Sequence, residues 1–199
     1  MSARMQWKND PQRWGAVSQL LHWLIVVLIV VMAWLGLTMT DLPTSPYKIR
    51  VYSLHKSIGM TLLALVLLRL AWRAFAGRPD DLPGTPTWQH RLAGATHGLL
   101  YVLLLAVPIS GWVMNSASGF PMPWFGLFNV PAITGRDRAL HELSETWHEW
   151  LFWALVVIAL VHAAAAVYHH LFQHDATLAR MLPRGWLRAP APDREPPHA

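Results

Sequence analysis

The sequence predicts an all-α fold: a transmembrane four-helix bundle with both termini in the cytoplasm. Three observations carry that prediction. Of the 199 residues, 54% are hydrophobic and only 14% are Asp, Glu, Lys or Arg, against about 25% in a soluble domain. Four apolar runs each approach the roughly twenty residues that a helix needs to cross a bilayer. The Lys and Arg residues divide unevenly between the two ends of those runs.

Residues 1–16 form an N-terminal arm. The first span, Val17–Met39, holds no Asp, Glu, Lys or Arg. Its apolar run is too long for a cleavable signal and lacks a clear small-residue cleavage site, so it reads as an uncleaved first span. "TDLPTSPYK" (40–48), with two prolines, ends it. The second span, Tyr52–Ala76, carries Lys56 near one end and Arg69 and Arg73 toward the other. "GRPDDLPGTPTW" (77–88) is a turn-rich break. The third span, Leu92–Met114, contains Pro108, which predicts a kink tolerated because neighbouring helices re-satisfy the freed carbonyl. "PMPWFGLFNVPAITGRDR" (121–138) is a long aromatic loop, expected to carry a short interfacial helix. The fourth span is Thr146–Phe172, with Glu149 at its mouth. Residues 17–172 thus make the membrane domain. Residues 173–199 make a cytoplasmic tail that ends in "RAPAPDREPPHA", whose composition predicts disorder.

Eleven of the sixteen Lys and Arg residues fall on the side of the termini and of the loop between spans two and three, and five on the other. Loops rich in Lys and Arg stay inside, which places both termini in the cytoplasm. The net charge of +5 needs no nucleic acid, because segments beside anionic lipid collect such residues. With no cysteine, disulfides, thiolate-held iron–sulfur clusters and covalent c-type haem are excluded. Phosphate-binding Gly-rich loops, GxSxG elbows and HExxH motifs are absent too. "HELSETWHEW" (141–150) is a weak zinc motif, since its two histidines are seven apart. The tryptophans cluster at span ends as an aromatic belt.

Orientation gives each histidine a depth. His22 falls near the inner face, His55 near the outer, His148 outer and His162 inner. Fourteen residues separate His148 from His162, about 21 Å along a helix axis, and fourteen steps of about 100° return nearly to the same side. The two rings therefore point into the bundle at two levels, with His22 as partner at the inner level and His55 at the outer. Facing histidines can hold a flat macrocycle through its iron, and facing helices of a bundle are a usual place for a cofactor. The resulting assignment is two haem b groups, the inner on His22 and His162 and the outer on His55 and His148. A purely structural set of four is disfavoured because ionisable groups inside a bilayer are costly. A lone zinc or copper ion wants three or four ligands together.

Arg69 lies fourteen residues after His55, at the inner level. Two readings stand: a partner for a haem propionate, or snorkelling to the headgroups. Gly59, one turn after His55, either admits a flat ring to the backbone or serves ordinary helix packing. His97, near the inner end of the third span, is open between a supporting residue, a quinone contact and an alternative ligand. His169 and His170 lie at the cytoplasmic mouth, as propionate contacts, proton carriers or solvated side chains.

Five segments together resemble one family. "SQLLHWLIVVL" (18–28), "YSLHKSIGMTLLALVLLRLAWR" (52–73), "HGLLYVLLLAVPISGW" (97–112), "SETWHEWLFWALVVIALVHAAAAVYHHL" (144–171) and "DATLARMLP" (175–183) are similar to prokaryotic cytochrome b561, over about residues 12–184. Within it the superoxide oxidase type looks nearest. The resemblance implies a di-haem b protein of the bacterial inner membrane, with His22, His55, His148 and His162 as ligands and a quinone site. It further implies a transmembrane electron carrier that oxidises superoxide on the periplasmic side and reduces ubiquinone. Two rivals stand beside it: a quinone-linked cytochrome b subunit serving a separate redox partner protein, such as a dehydrogenase or hydrogenase, and a non-redox histidine-based proton or metal transporter.

Overall fold

The computed structural model describes residues 6–183 and 185–187, so the disorder expected of 188–199 lies outside the described residues. Four helices, each long and apolar enough to cross a membrane, follow in order. They are α1 (Ala16–Met39), α2 (Pro46–Ala76), α3 (Thr87–Ser118) and α4 (Arg138–Leu171). A two-residue hairpin, β1 (Pro123–Trp124) with β2 (Phe128–Asn129), sits between α3 and α4.

Two helices begin well before their apolar runs, for reasons of capping. At α2, Ser45 accepts a hydrogen bond from the Lys48 amide and Pro46 occupies the first turn, where its missing N–H costs nothing. At α4, the Asp137 side chain accepts from the Leu140 amide, so the helix starts at Arg138 rather than near Thr146. Pro108 stays inside α3 without ending it.

The 121–138 loop forms the hairpin in place of the expected interfacial helix. Phe125 and Gly126 both have positive φ, 47° and 75°, and the Leu127 amide closes the turn on the Trp124 carbonyl at 3.0 Å. Turns with positive φ at both central residues match the twist of paired strands. The hairpin is pinned to α2. Ser57 Oγ accepts from the Phe125 amide at 3.0 Å, and Trp124 Nε1 donates to Thr61 Oγ1 at 3.1 Å.

The core is Ile25, Leu62, Val66, Leu103, Leu104 and Leu155. Leu62 stands seven residues from His55 and Arg69, and Leu155 seven from His148 and His162, so this apolar plug lies midway along the bundle. α1 packs on α2, α2 on α3 and α3 on α4. By contrast α4 has at most sparse contact with α1 or α2 among the described residues.

At the end of the bundle where α1 begins and α4 ends, the segment after α4 bridges that gap. Its single 3₁₀ turn, Ala179–Met181, lies against α1. Trp23 Nε1 donates to the Met181 carbonyl at 3.0 Å, and Gln19 Nε2 to the Leu182 carbonyl at 3.2 Å. Arg180 donates to the carbonyls of Gln12 (2.6 Å), Pro11 (3.1 Å) and Asp80 (2.8 Å), joining the N-terminal arm, the α2–α3 loop and the strap. Where the strap leaves α4, Asp175 Oδ2 meets His169 Nδ1 at 2.6 Å. Burial opposes ionisation of Asp175, but its bonds to Thr177 and the adjacent His169 outweigh that and hold its carboxyl below its ordinary range. Arg180→Ala is expected to cost on the order of 1 kcal/mol and to open residues 175–183 to protease, read by limited proteolysis in detergent. Unchanged cleavage would mean that the three carbonyls do not anchor the strap.

Candidate functional site

Each of the four helices carries a pair of histidine, arginine or glycine positions at two levels. On α4 the pair is His148 and His162; on α2 it is His55 and Arg69; on α1, His22 and Gly36; on α3, His97 and Gly111. Each pair is fourteen residues apart, so each helix presents one member at each level. The outer tier, named for the expected orientation, is Gly36, His55, Gly111 and His148. The inner tier is His22, Arg69, His97 and His162.

At the outer tier, the His55 and His148 ring centres stand 6.3 Å apart with planes at 74°. Two imidazoles on opposite sides of one metal ion, with bonds of about 2 Å and about 1.1 Å more from each nitrogen to its ring centre, stand about 6 Å apart. The spacing therefore suits a shared iron. Both rings rest on glycine. A Cβ at Gly36 would lie 3.4 Å from His55 Cε1, and one at Gly111 would lie 3.1 Å from His148 Cε1. His148 Nδ1 meets the Val107 carbonyl at 2.9 Å and Ser110 Oγ at 3.0 Å. A carbonyl only accepts, so Nδ1 carries the proton and Nε2 keeps the lone pair that a metal needs. His55 Nδ1 is buried without a hydrogen-bond partner among the described residues.

At the inner tier, His22, Arg69, His97 and His162 are near enough to act on one another electrostatically. The His97 and His162 ring centres are 5.1 Å apart at 70°, edge to face, closer than an interposed ion allows. The facing of His97, open in the sequence, is thus toward His162. His22 stacks edgewise on Trp23 at 5.2 Å. Arg69 turns inward: Nη1 donates to the Ser18 carbonyl of α1 at 2.8 Å and Nε to Tyr101 Oη of α3 at 3.1 Å. These bonds favour a bundle role over snorkelling. Gly59 faces α1, where a Cβ would touch Met32 Cε at 3.4 Å.

The donor set suits protohaem. It offers two imidazoles facing at metal-bridging distance, glycines beneath the rings, a cation at the inner level for a propionate, and helices α1 and α4 held apart. Sequence reasoning missed Gly36 and Gly111. The fourteen-residue interval, read on α2 and α4 only, would have found both had it been applied to α1 and α3.

The outer mouth carries Lys56, Arg136 and Arg138. Lys56 Nζ donates to Asn115 Oδ1 at 3.0 Å and to the Pro121 carbonyl at 3.5 Å, both neutral. Arg136 donates to the Gly119 carbonyl at 3.4 Å. Arg138 instead pairs with Glu142 at 2.8 Å on the surface.

The chain is also similar to known proteins. Residues 13–184 match the family described as prokaryotic cytochrome b561. The chain is 36% identical over 179 residues to "Cytochrome b561 homolog 2" of Escherichia coli (strain K12), covering 89% of this chain and 95% of that one. It is 30% identical over 168 residues to "Cytochrome b562" of Cereibacter sphaeroides, covering 81% and 90%. It is 28% identical over 164 residues to "Probable superoxide oxidase CybB" of Yersinia pestis, covering 82% and 92%.

Proposed function

The chain belongs to the prokaryotic cytochrome b561 family, haem b electron carriers that span the bacterial inner membrane, and on that premise we propose that it oxidises superoxide at its periplasmic end and reduces ubiquinone. His55 and His148 hold the outer haem, and His22 and His162 the inner one. The observation that carries the reading is the two-tier set of imidazoles, above all the outer pair at 6.3 Å. At the inner tier, the 5.1 Å contact of His97 with His162 is too close for an interposed ion, which supports His22 as the other ligand.

When bound, the two haems supply a one-electron path across the membrane. The chain's own residues do the rest. Each superoxide gives up one electron and leaves as O₂; two such events and two protons turn one quinone into quinol. Superoxide is a small anion. Lys56 and Arg136 face neutral oxygens, so their charge remains to raise its local concentration at the outer mouth. The donor's oxidation needs no proton transfer, and no general acid or base is assigned. Arg69 offers a cation to an inner propionate. The plug of Leu62, Leu104 and Leu155 keeps water out between the tiers.

Stopped-flow mixing of purified haem-loaded protein with superoxide and ubiquinone tests this. The expected result is loss of superoxide faster than spontaneous dismutation, with one quinol formed per two superoxide ions. Loss at the spontaneous rate would sink it. The second reading is a quinone-linked cytochrome b subunit for a separate partner protein. It is favoured by the higher identity to relatives named only as cytochromes, 36% and 30%, than to the superoxide oxidase, 28%. That second reading predicts haem reduction by quinol without superoxide turnover.

A further inference from the structure

The two histidines of the outer tier are not equivalent. His148 Nδ1 is held from two directions, by the Val107 carbonyl at 2.9 Å and Ser110 Oγ at 3.0 Å. Ser110 Oγ itself donates to the Val107 carbonyl at 2.7 Å. One arrangement of protons satisfies all three contacts. The hydroxyl proton goes to the carbonyl, and the Nδ1 proton is shared between that carbonyl and the hydroxyl oxygen. With the opposite tautomer, a bare Nδ1 would face the carbonyl oxygen, two acceptors 2.9 Å apart with no proton between them. The ring is further confined by Gly111, where a Cβ would come within 3.1 Å of Cε1 and 3.3 Å of Nδ1. Tautomer, orientation and contact are therefore all set before any metal arrives.

His55 has none of this. Its Nδ1 is buried with no partner, and at Gly36 a Cβ would be at ordinary contact distance, 3.4 Å. Among the described residues no hydrogen bond to Nδ1 selects which of its nitrogens carries the proton, and its one glycine contact is looser than that of His148. A ligand imidazole that donates its other N–H to a carbonyl is the more basic and better oriented one.

We propose that His148 is the fixed, stronger axial donor of the outer tier, with Ser110 as its positioning residue, and that His55 is the exchangeable ligand through which small exogenous ligands reach that iron. The proposal rests on the haem reading above, and the experiment separates the two. Wild-type protein without b-type absorption would end the haem reading and leave the tautomer question to its own arm.

Three measurements decide it. In ¹⁵N-histidine spectra of haem-free protein, His148 should show a single Nδ1-protonated tautomer and His55 a mixture. A Nε2-protonated His148 would overturn the proposal. In the haem-loaded protein, His55→Ala should keep its outer haem and bind carbon monoxide when reduced. His148→Ala should bind that haem at least tenfold more weakly, the inner α-band serving in both as a control for folding. Equal retention, or the reverse order, would overturn it. Ser110→Ala should shift the midpoint potential of the outer haem alone, and Ser110→Thr, which keeps the hydroxyl, should restore it. If Ser110→Ala lowered only the melting temperature, the hydroxyl would be structural and the positioning role would fall.

Discussion

His162→Ala is expected to empty the inner tier and leave the outer tier filled, halving the haem per chain in a pyridine haemochromogen assay. The reason lies in how the tiers are joined. α1 and α4 barely touch among the described residues, so at the inner level the imidazole of His162 is what reaches from α4 toward the gap. His22 and His97 survive the substitution, but they project from α1 and α3. The structure rests His22 on Trp23 and His97 on His162 itself. Loss of an axial nitrogen removes a direct bond to iron, a larger effect than the 10–100-fold that follows loss of a supporting hydrogen bond. The outer tier stands about 21 Å away along the helix, beyond the leucine plug, and should be unaffected. If two haems remained, His22 and His97 would be the inner ligands.

Arg69→Met should lower both the stability of the bundle and the midpoint potential of the inner haem. Arg69 ties three helices at one level through the Ser18 carbonyl and the Tyr101 hydroxyl, while Trp72 Nε1 bonds Ser18 Oγ beside it at 3.1 Å. Hydrogen bonds from a charged donor contribute about 1.5–3 kcal/mol each, so a fall of at least roughly 6 °C in melting temperature is expected. The potential should fall for a separate reason. The ferric state carries one more positive charge than the ferrous state, so removing a nearby cation favours the ferric state. Lysine keeps the charge but not the fork. Arg69→Lys should therefore restore most of the potential and little of the stability. A redox titration and a melting curve on the same samples separate the two effects. An unchanged potential would confine Arg69 to packing.

The apolar middles of all four helices were legible in the sequence, because lipid demands a continuous run. Their ends were not. Hydropathy marks where the lipid lies, whereas Ser45 with Pro46 and Asp137 decide where α2 and α4 begin. The hairpin at 123–129 was missed because its cause is long-range. Phe125 takes a positive φ while its amide is held by Ser57, 68 residues away. The fourteen-residue interval and the charge bias of the loops point to His55 and His148 as neighbours, and their ring centres stand 6.3 Å apart. Gly36 and Gly111 share the fourteen-residue interval with His22 and His97, but a glycine shows its role only once a ring is laid against it. His97 needed a neighbour to give it a facing, and His162 supplies one. The inward turn of Arg69 depends on Ser18 and Tyr101, on two other helices, and no local pattern marks it.

The most direct test is the haem content and spin state of the purified wild-type chain, from a haemochromogen assay and low-temperature electron paramagnetic resonance. Two b-type haems per chain, both low-spin with nitrogen on either side of iron, is the predicted result. A single haem, none, or a high-spin signal of comparable amount would contradict the two-tier account.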